Sequence, residues 1–155
     1  MDCSHIQFCD RKSVIDFTQL QALFKLGAFW AAERKIEDLS IAIENSEPVI
    51  SVWDNQKLIG FARATSDGIY RATIWDVVIH PEYRGAGLGR KLVETVLSHP
   101  RMNRVERVYL TTTHQQSFYE RIGFEVNSSS TMVLYNQPLT KVRALEVQYQ
   151  ELIGG

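Results

Sequence analysis

Cysteine is scarce in this chain: Cys3 and Cys9 are the only two among 155 residues. Two thiols near one terminus form no disulfide framework, and neither sits in a Cys-x-x-Cys or zinc spacing, so both are read as reduced structural thiols. No apolar run approaches the roughly 20 residues that span a bilayer. The first residues, Met1 to Asp10, lack the charged-then-apolar plan of a secretory leader. No membrane partner is expected, and a cytoplasmic location is. A surplus of one charge sign is also missing: 17 Lys and Arg face 18 Asp and Glu, for a formal net charge of -1. That balance argues against a nucleic-acid partner. His80 and His99 carry no ligand spacing, so no metal is expected. There is no internal repeat and no low-complexity segment. What is present, 45% apolar and 23% charged residues, suits one soluble domain with one active site.

The order of elements reads as mixed α and β. Ile6 to Cys9 forms a short first strand. From Ser13, the apolar residues Ile15, Leu20, Leu23, Phe24 and Leu26 predict an amphipathic helix stopped near Gly27. A second helix is expected from Ala31 to Asn45, with Ile36, Leu39 and Ile43 on one face. Val49 to Trp53 and Leu58 to Ala64 read as a hairpin around Asp54-Asn55-Gln56. A turn at Ser66-Asp67-Gly68 leads to the strand Ala72 to Ile79, β-branched and aromatic almost throughout, with Asp76 as its anomaly. A helix follows from Leu88 to Ser98, then a strand from Val105 to Thr112 and a short helix from Gln115 to Arg121. A closing strand pair, Phe124 to Val126 and Thr131 to Tyr135, is expected last. Residues 1–137 are read as one domain. Residues 138–155 are read as a helical extension, packed on the domain or placed at an oligomer interface such as a homodimer.

The chemistry concentrates after Pro81, where Arg84-Gly85-Ala86-Gly87-Leu88-Gly89 enters a helix. Backbone N–H groups at a helix start lack intrahelical partners and lie at the positive end of the helix dipole, so a glycine loop there suits a phosphate. A dinucleotide fingerprint or a Walker A loop counted from Gly85 would need glycine at position 90, which is Arg90. Arg84 and Arg90 on either side favour an anion.

The stretch Val78-Ile79-His80-Pro81-Glu82-Tyr83-Arg84-Gly85-Ala86-Gly87-Leu88-Gly89 resembles the acetyl-CoA signature of the GCN5-related N-acetyltransferases, Arg/Gln-x-x-Gly-x-Gly/Ala. Phe118-Tyr119-Glu120-Arg121-Ile122-Gly123-Phe124 resembles the family's downstream aromatic-Tyr-x-x-x-Gly-Phe segment. The likeness covers roughly Ile6 to Tyr135. A narrower one, on Phe61 to Gly68 and Ile74 to Val78, is to the plastid and cyanobacterial acetyltransferases that include plant serotonin N-acetyltransferase. The loop Thr111-Thr112-Thr113-His114 departs from that subgroup, which carries a carboxylate there. For the fold, the resemblance implies a twisted, mixed, mostly antiparallel sheet with helices on both faces, splayed into a V between the fourth and fifth strands.

It also implies acetyl transfer from acetyl-CoA to a primary amine, either an arylalkylamine such as serotonin or tryptamine or a protein lysine. A module that only senses acetyl-CoA is the reading from another class. The pyrophosphate is expected on the amides of Arg84 to Arg90, and the pantetheine arm along Val77, Val78 and Ile79, with the Val78 N–H polarising the thioester. Ser117 and Phe118 are expected at the lower part of the co-substrate. In the family, the hydroxyl equivalent to Tyr119 protonates the departing thiolate; a packed core tyrosine is the alternative. Asp76 is read as the general base, with burial raising its pKa, or else as a structural carboxylate. Phe24, Phe29 and Trp30, at the junction of the first two helices, are expected to line the acceptor site unless they are plain core, with Asp67 and His114 as further wall residues.

Overall fold

The computed structural model describes residues 2–136. Two compact units are distinguished, Met1–Leu110 and a second that begins at Thr111. The first unit runs β1 (Ile6–Cys9), α1 (Phe17–Gly27), α2 (Ile36–Glu44), β2 (Val49–Asp54), β3 (Lys57–Ser66), β4 (Arg71–Ile79), α3 (Leu88–Ser98) and β5 (Arg107–Tyr109). α4 (Gln116–Ile122) belongs to the second unit. The extension expected over 138–155 lies outside the described residues.

The five strands form one sheet in sequence order. β1 to β4 pair antiparallel, and β5 joins β4 in parallel. Residues opposed across strands share a face. Phe61 opposes both Ser51 and Val78 on one face, and Ile50 opposes Ala62 on the other. The first face is covered by α1 and α2, whose Leu20, Leu23, Phe24, Leu39 and Ile43 cluster with Val49, Phe61 and Val78. Phe24 meets Phe61 edge to face at 5.6 Å, a favoured aromatic geometry. α3 packs on β2, β3 and β4. Its Leu92, Val93 and Val96 are fully buried outside that cluster, each contributing roughly 1.5–3 kcal/mol by leaving water. Helices therefore cover both faces, as expected.

β4 and β5 pair only from Arg71↔Arg107 to Thr73↔Tyr109. Among the described residues, the rest of β4, Ile74 to Ile79, has no strand partner on that edge, which is the splay. β5 is also shorter than the expected Val105 to Thr112.

Other boundaries moved for local reasons. The first helix starts at Phe17, because the Asp16 carboxylate accepts from the Thr18 and Gln19 amides at 3.0 and 3.2 Å and thus caps it. Ser13 lies instead in a 3-10 turn over Lys12–Val14. The second helix begins at Ile36, after a 3-10 turn at Phe29–Ala31 and an extended Lys35. The expected closing strands do not form: 124–135 contain no strand, and Met132, Val133 and Leu134 are exposed. β-propensity without a neighbouring strand does not stabilise an isolated pair in water.

Candidate functional site

The turn after β4 is anchored before its glycines begin. Pro81–Tyr83 forms a 3-10 turn, and the Tyr83 hydroxyl donates to Asp54 at the end of β2. Arg84, expected to face an anion, instead turns its guanidinium to the Ile79 carbonyl at 3.1 Å and the Gly27 carbonyl at 3.4 Å. Gly85 and Gly87 have φ of 86° and 80°, a region that side chains with a Cβ rarely adopt. A Cβ at either position would meet nothing within 4 Å, so the space over the loop is open. Gly87 caps α3 without any side-chain acceptor, and the first N–H groups of the helix lack intrahelical partners. Leu88, 5% exposed, anchors the helix start in the core. Arg90 pairs with Glu94 one turn on, at 2.6 Å. The loop thus presents amides, with its two arginine side chains engaged elsewhere. That arrangement fits a diphosphate at a helix N-terminus.

β4 is interrupted just upstream. Trp75 opposes Arg63 and Val78 opposes Phe61, so Asp76 and Val77 together face the single residue Ala62. This is a β-bulge with Asp76 in the left-handed region at φ 58°. Beyond it, the His80 amide donates to the opposed Ile59 carbonyl at 2.7 Å. Opposed pairs alternate between hydrogen-bonded and not, so the next amide directed at β3 is that of Val78, toward Phe61. The amide expected to polarise a thioester is therefore committed to the sheet. Alternation sends the Ile79 amide to the other edge, where pairing with β5 has already ended, and Val77, inside the bulge, has no register partner on β3.

The bulge also re-aims Asp76. Its carboxylate is 4% exposed and accepts from Arg34 and Arg63, each at 2.7 Å, and from the Trp30 indole at 3.0 Å. Burial alone would raise its pKa, as anticipated. The charges and hydrogen bonds of Arg34, then of Arg63, outweigh burial and hold it below the ordinary 3.8. A depressed carboxylate pKa contributes stability that is present above 3.8 and lost as pH falls through the folded-state value. Urea midpoints measured through the acid range should therefore fall more steeply for the native chain than for Asp76→Asn. Parallel curves would show that the ion pairs add no pH-dependent stability. Arg34 and Arg63 were not anticipated as part of the site. The available signal was that a carboxylate buried in an apolar strand needs cationic partners.

Several expected wall residues have other positions. Phe24 is 1% exposed and belongs to the core, so it offers no surface. Phe29 and Trp30 are half-buried and pack edge to face at 5.3 Å. The Asp67 Oδ1 accepts from the amides of Ile69, Tyr70 and Arg71, closing the β3–β4 turn. In the second unit, Ser117, Phe118 and Tyr119 lie on α4 and His114 precedes it. Tyr119 packs edge to face with Phe118 and Phe124 at 4.9 and 5.8 Å. Burial pushes its hydroxyl up to about 12.

Comparison with known proteins agrees with this geometry. The chain is 40% identical over 97 residues to an uncharacterized N-acetyltransferase, ycf52, of Pyropia yezoensis, covering 59% of this chain and 56% of the relative. It is 34% identical over 137 residues to a histone acetyltransferase, TAP1, of Glycine max, covering 80% and 58%. The chain thus spans little more than half the length of these curated relatives. Among solved structures, a GNAT-family protein from Xanthomonas campestris superposes with a TM-score of 0.76 at 27% identity, covering 84% of this chain and 93% of the other. The Acetyltransferase (GNAT) family matches residues 16–124. That span holds the bulged strand, the glycine loop and the α4 tyrosine alike, and the chain belongs to this family.

Proposed function

We propose that this protein transfers the acetyl group of acetyl-CoA to a primary amine. The observation that carries the reading is the pairing, within one continuous stretch, of a bulged β4 with a loop whose two left-handed glycines open the start of α3. The amides of Gly85 to Arg90 would hold the pyrophosphate, with the pantetheine arm along Val77 to Ile79. Acetyl-CoA supplies an activated thioester. The Val77 N–H, turned out of the sheet, would polarise its carbonyl as an oxyanion donor does.

An alkylamine with an ordinary pKa is only about one part in a thousand neutral near pH 7, so its proton must leave before attack. Asp76, held ionised by two guanidiniums, is a weak proton acceptor, and we assign that proton to water. Tyr119, by its place in the α4 motif, would return a proton to the thiolate.

An arylalkylamine suits the half-buried Phe29 and Trp30, which offer aromatic surface at the α1–α2 connection. A protein lysine is the second reading, favoured by the Glycine max relative named a histone acetyltransferase. The test is acetyl-CoA-dependent thiol release with serotonin, tryptamine, spermidine, an aminoglycoside and a lysine peptide at several pH values. Release with the indole amines, rising with pH, is expected. Release with the lysine peptide alone would select the second reading. No release from any amine, with acetyl-CoA still bound, would favour a sensing module.

A further inference from the structure

Asp76 is the one buried carboxylate among the described residues, and it sits at the one irregularity of β4. We propose that Asp76 is a positioning residue: clamped by Arg34, Arg63 and Trp30, it fixes the bulge that turns the Val77 N–H out of the sheet.

The register carries the argument. From Ala72 to Trp75, each β4 residue opposes one residue of β3, and one step before that run the Asp67 amide donates to the Arg71 carbonyl at 3.2 Å. Alternation from there makes Trp75 and Arg63 a hydrogen-bonded pair. If the same one-to-one register continued, Val77 would oppose Phe61 and its N–H would join the ladder. The extra residue in the bulge moves Val78 into that place and leaves the Val77 amide facing the unpaired edge.

A left-handed non-glycine residue is disfavoured by roughly 1–2 kcal/mol and persists only where its surroundings fix it. Here three donors from two directions do so. Arg63 reaches across from β3, while Trp30 and Arg34 reach from the α1–α2 connection. The end of α1 also runs close to β4, since a Cβ on Gly27 would lie 2.8 Å from Val78 Cγ2 and 3.2 Å from the Arg84 guanidinium. The connection is thus fastened to β4 at Asp76, with the end of α1 packed close by.

The proposal rests on the acetyl-transfer reading for its kinetic consequence, but not for its structural one. Amide hydrogen exchange by NMR reads the clamp without any ligand. In the native chain Val78 should be protected and Val77 should exchange faster. In Asp76→Val, where a β-branched residue resists the left-handed region, Val77 should gain protection. In Asp76→Gly, which adopts that region freely without the clamp, Val77 and Val78 should lose their contrast. Unchanged exchange in both variants overturns the proposal, as does a native Val77 as protected as Val78.

Turnover supplies the second readout. Removing one oxyanion donor costs about 10²–10³ in kcat, and Asp76→Val should lose about that much while keeping its affinity for CoA. The carbonyl stretch of bound 13C-labelled acetyl-CoA should move toward that of the free thioester. Asp76→Asn, which tolerates the left-handed region, should stay within roughly tenfold of native turnover with the same pH profile. If Asp76→Asn instead falls as far as Asp76→Val and loses the acid limb of the profile, Asp76 is the base and the proposal fails. A native protein that neither binds nor consumes acetyl-CoA sinks the functional reading alone, because hydrogen exchange still decides the clamp.

Discussion

Replacing Tyr119 with phenylalanine is expected to lower kcat by about 10²–10⁴, the range for loss of a general acid, with little change in acetyl-CoA affinity. The substitution removes one oxygen and keeps the ring, so the contacts with Phe118 and Phe124 survive. Burial raises the hydroxyl to about 12, so it carries its proton throughout the neutral range, while a thiol has a pKa of about 8.5. As pH rises through about 12 the acid would be lost, which places any alkaline limb from Tyr119 far above neutrality. The check is steady-state kinetics beside calorimetric titration with CoA. Unchanged turnover would remove Tyr119 from the reaction and leave it as a packed aromatic residue.

Exchanging Gly85 and Gly87 together for alanine is expected to weaken acetyl-CoA binding by about 100-fold. Steric crowding is not the reason, since both Cβ positions are open. The reason is conformation: each alanine would be held in the left-handed region at a cost of roughly 1–2 kcal/mol, and 1.4 kcal/mol is a factor of ten in affinity. Because the loop residues are exposed, the free protein can relax and the strain appears on binding. Thermal unfolding should move little. Native affinity in the double variant would place the pyrophosphate away from this loop.

Both variants act on features that are legible in the chain itself. α3 was expected over Leu88 to Ser98 and is found there, because its apolar spacing and glycine entry are local. The β2–β3 hairpin and the core strand β4 are legible for the same reason. Asp76 was visible as a charge in an apolar strand, but its role was not, since Trp30 and Arg34 lie 46 and 42 residues away in sequence. Local pattern carries no information about such partners. The same limit misplaced Phe24: its spacing marks an apolar helix face without telling core from pocket wall, and α1 packing on Phe61 decided for the core. The closing strand pair failed in the other direction, where alternation was present but residues 124–135 form no strand.

The sequence by itself carried the motifs that resemble the family, and it determined α3, the β2–β3 hairpin and the glycine loop, because apolar periodicity and glycine turns act over a few neighbouring residues. Only the tertiary structure decided where the β4 bulge falls and which partners hold Asp76. Register across two strands and the approach of two distant guanidiniums exist only once the chain has folded.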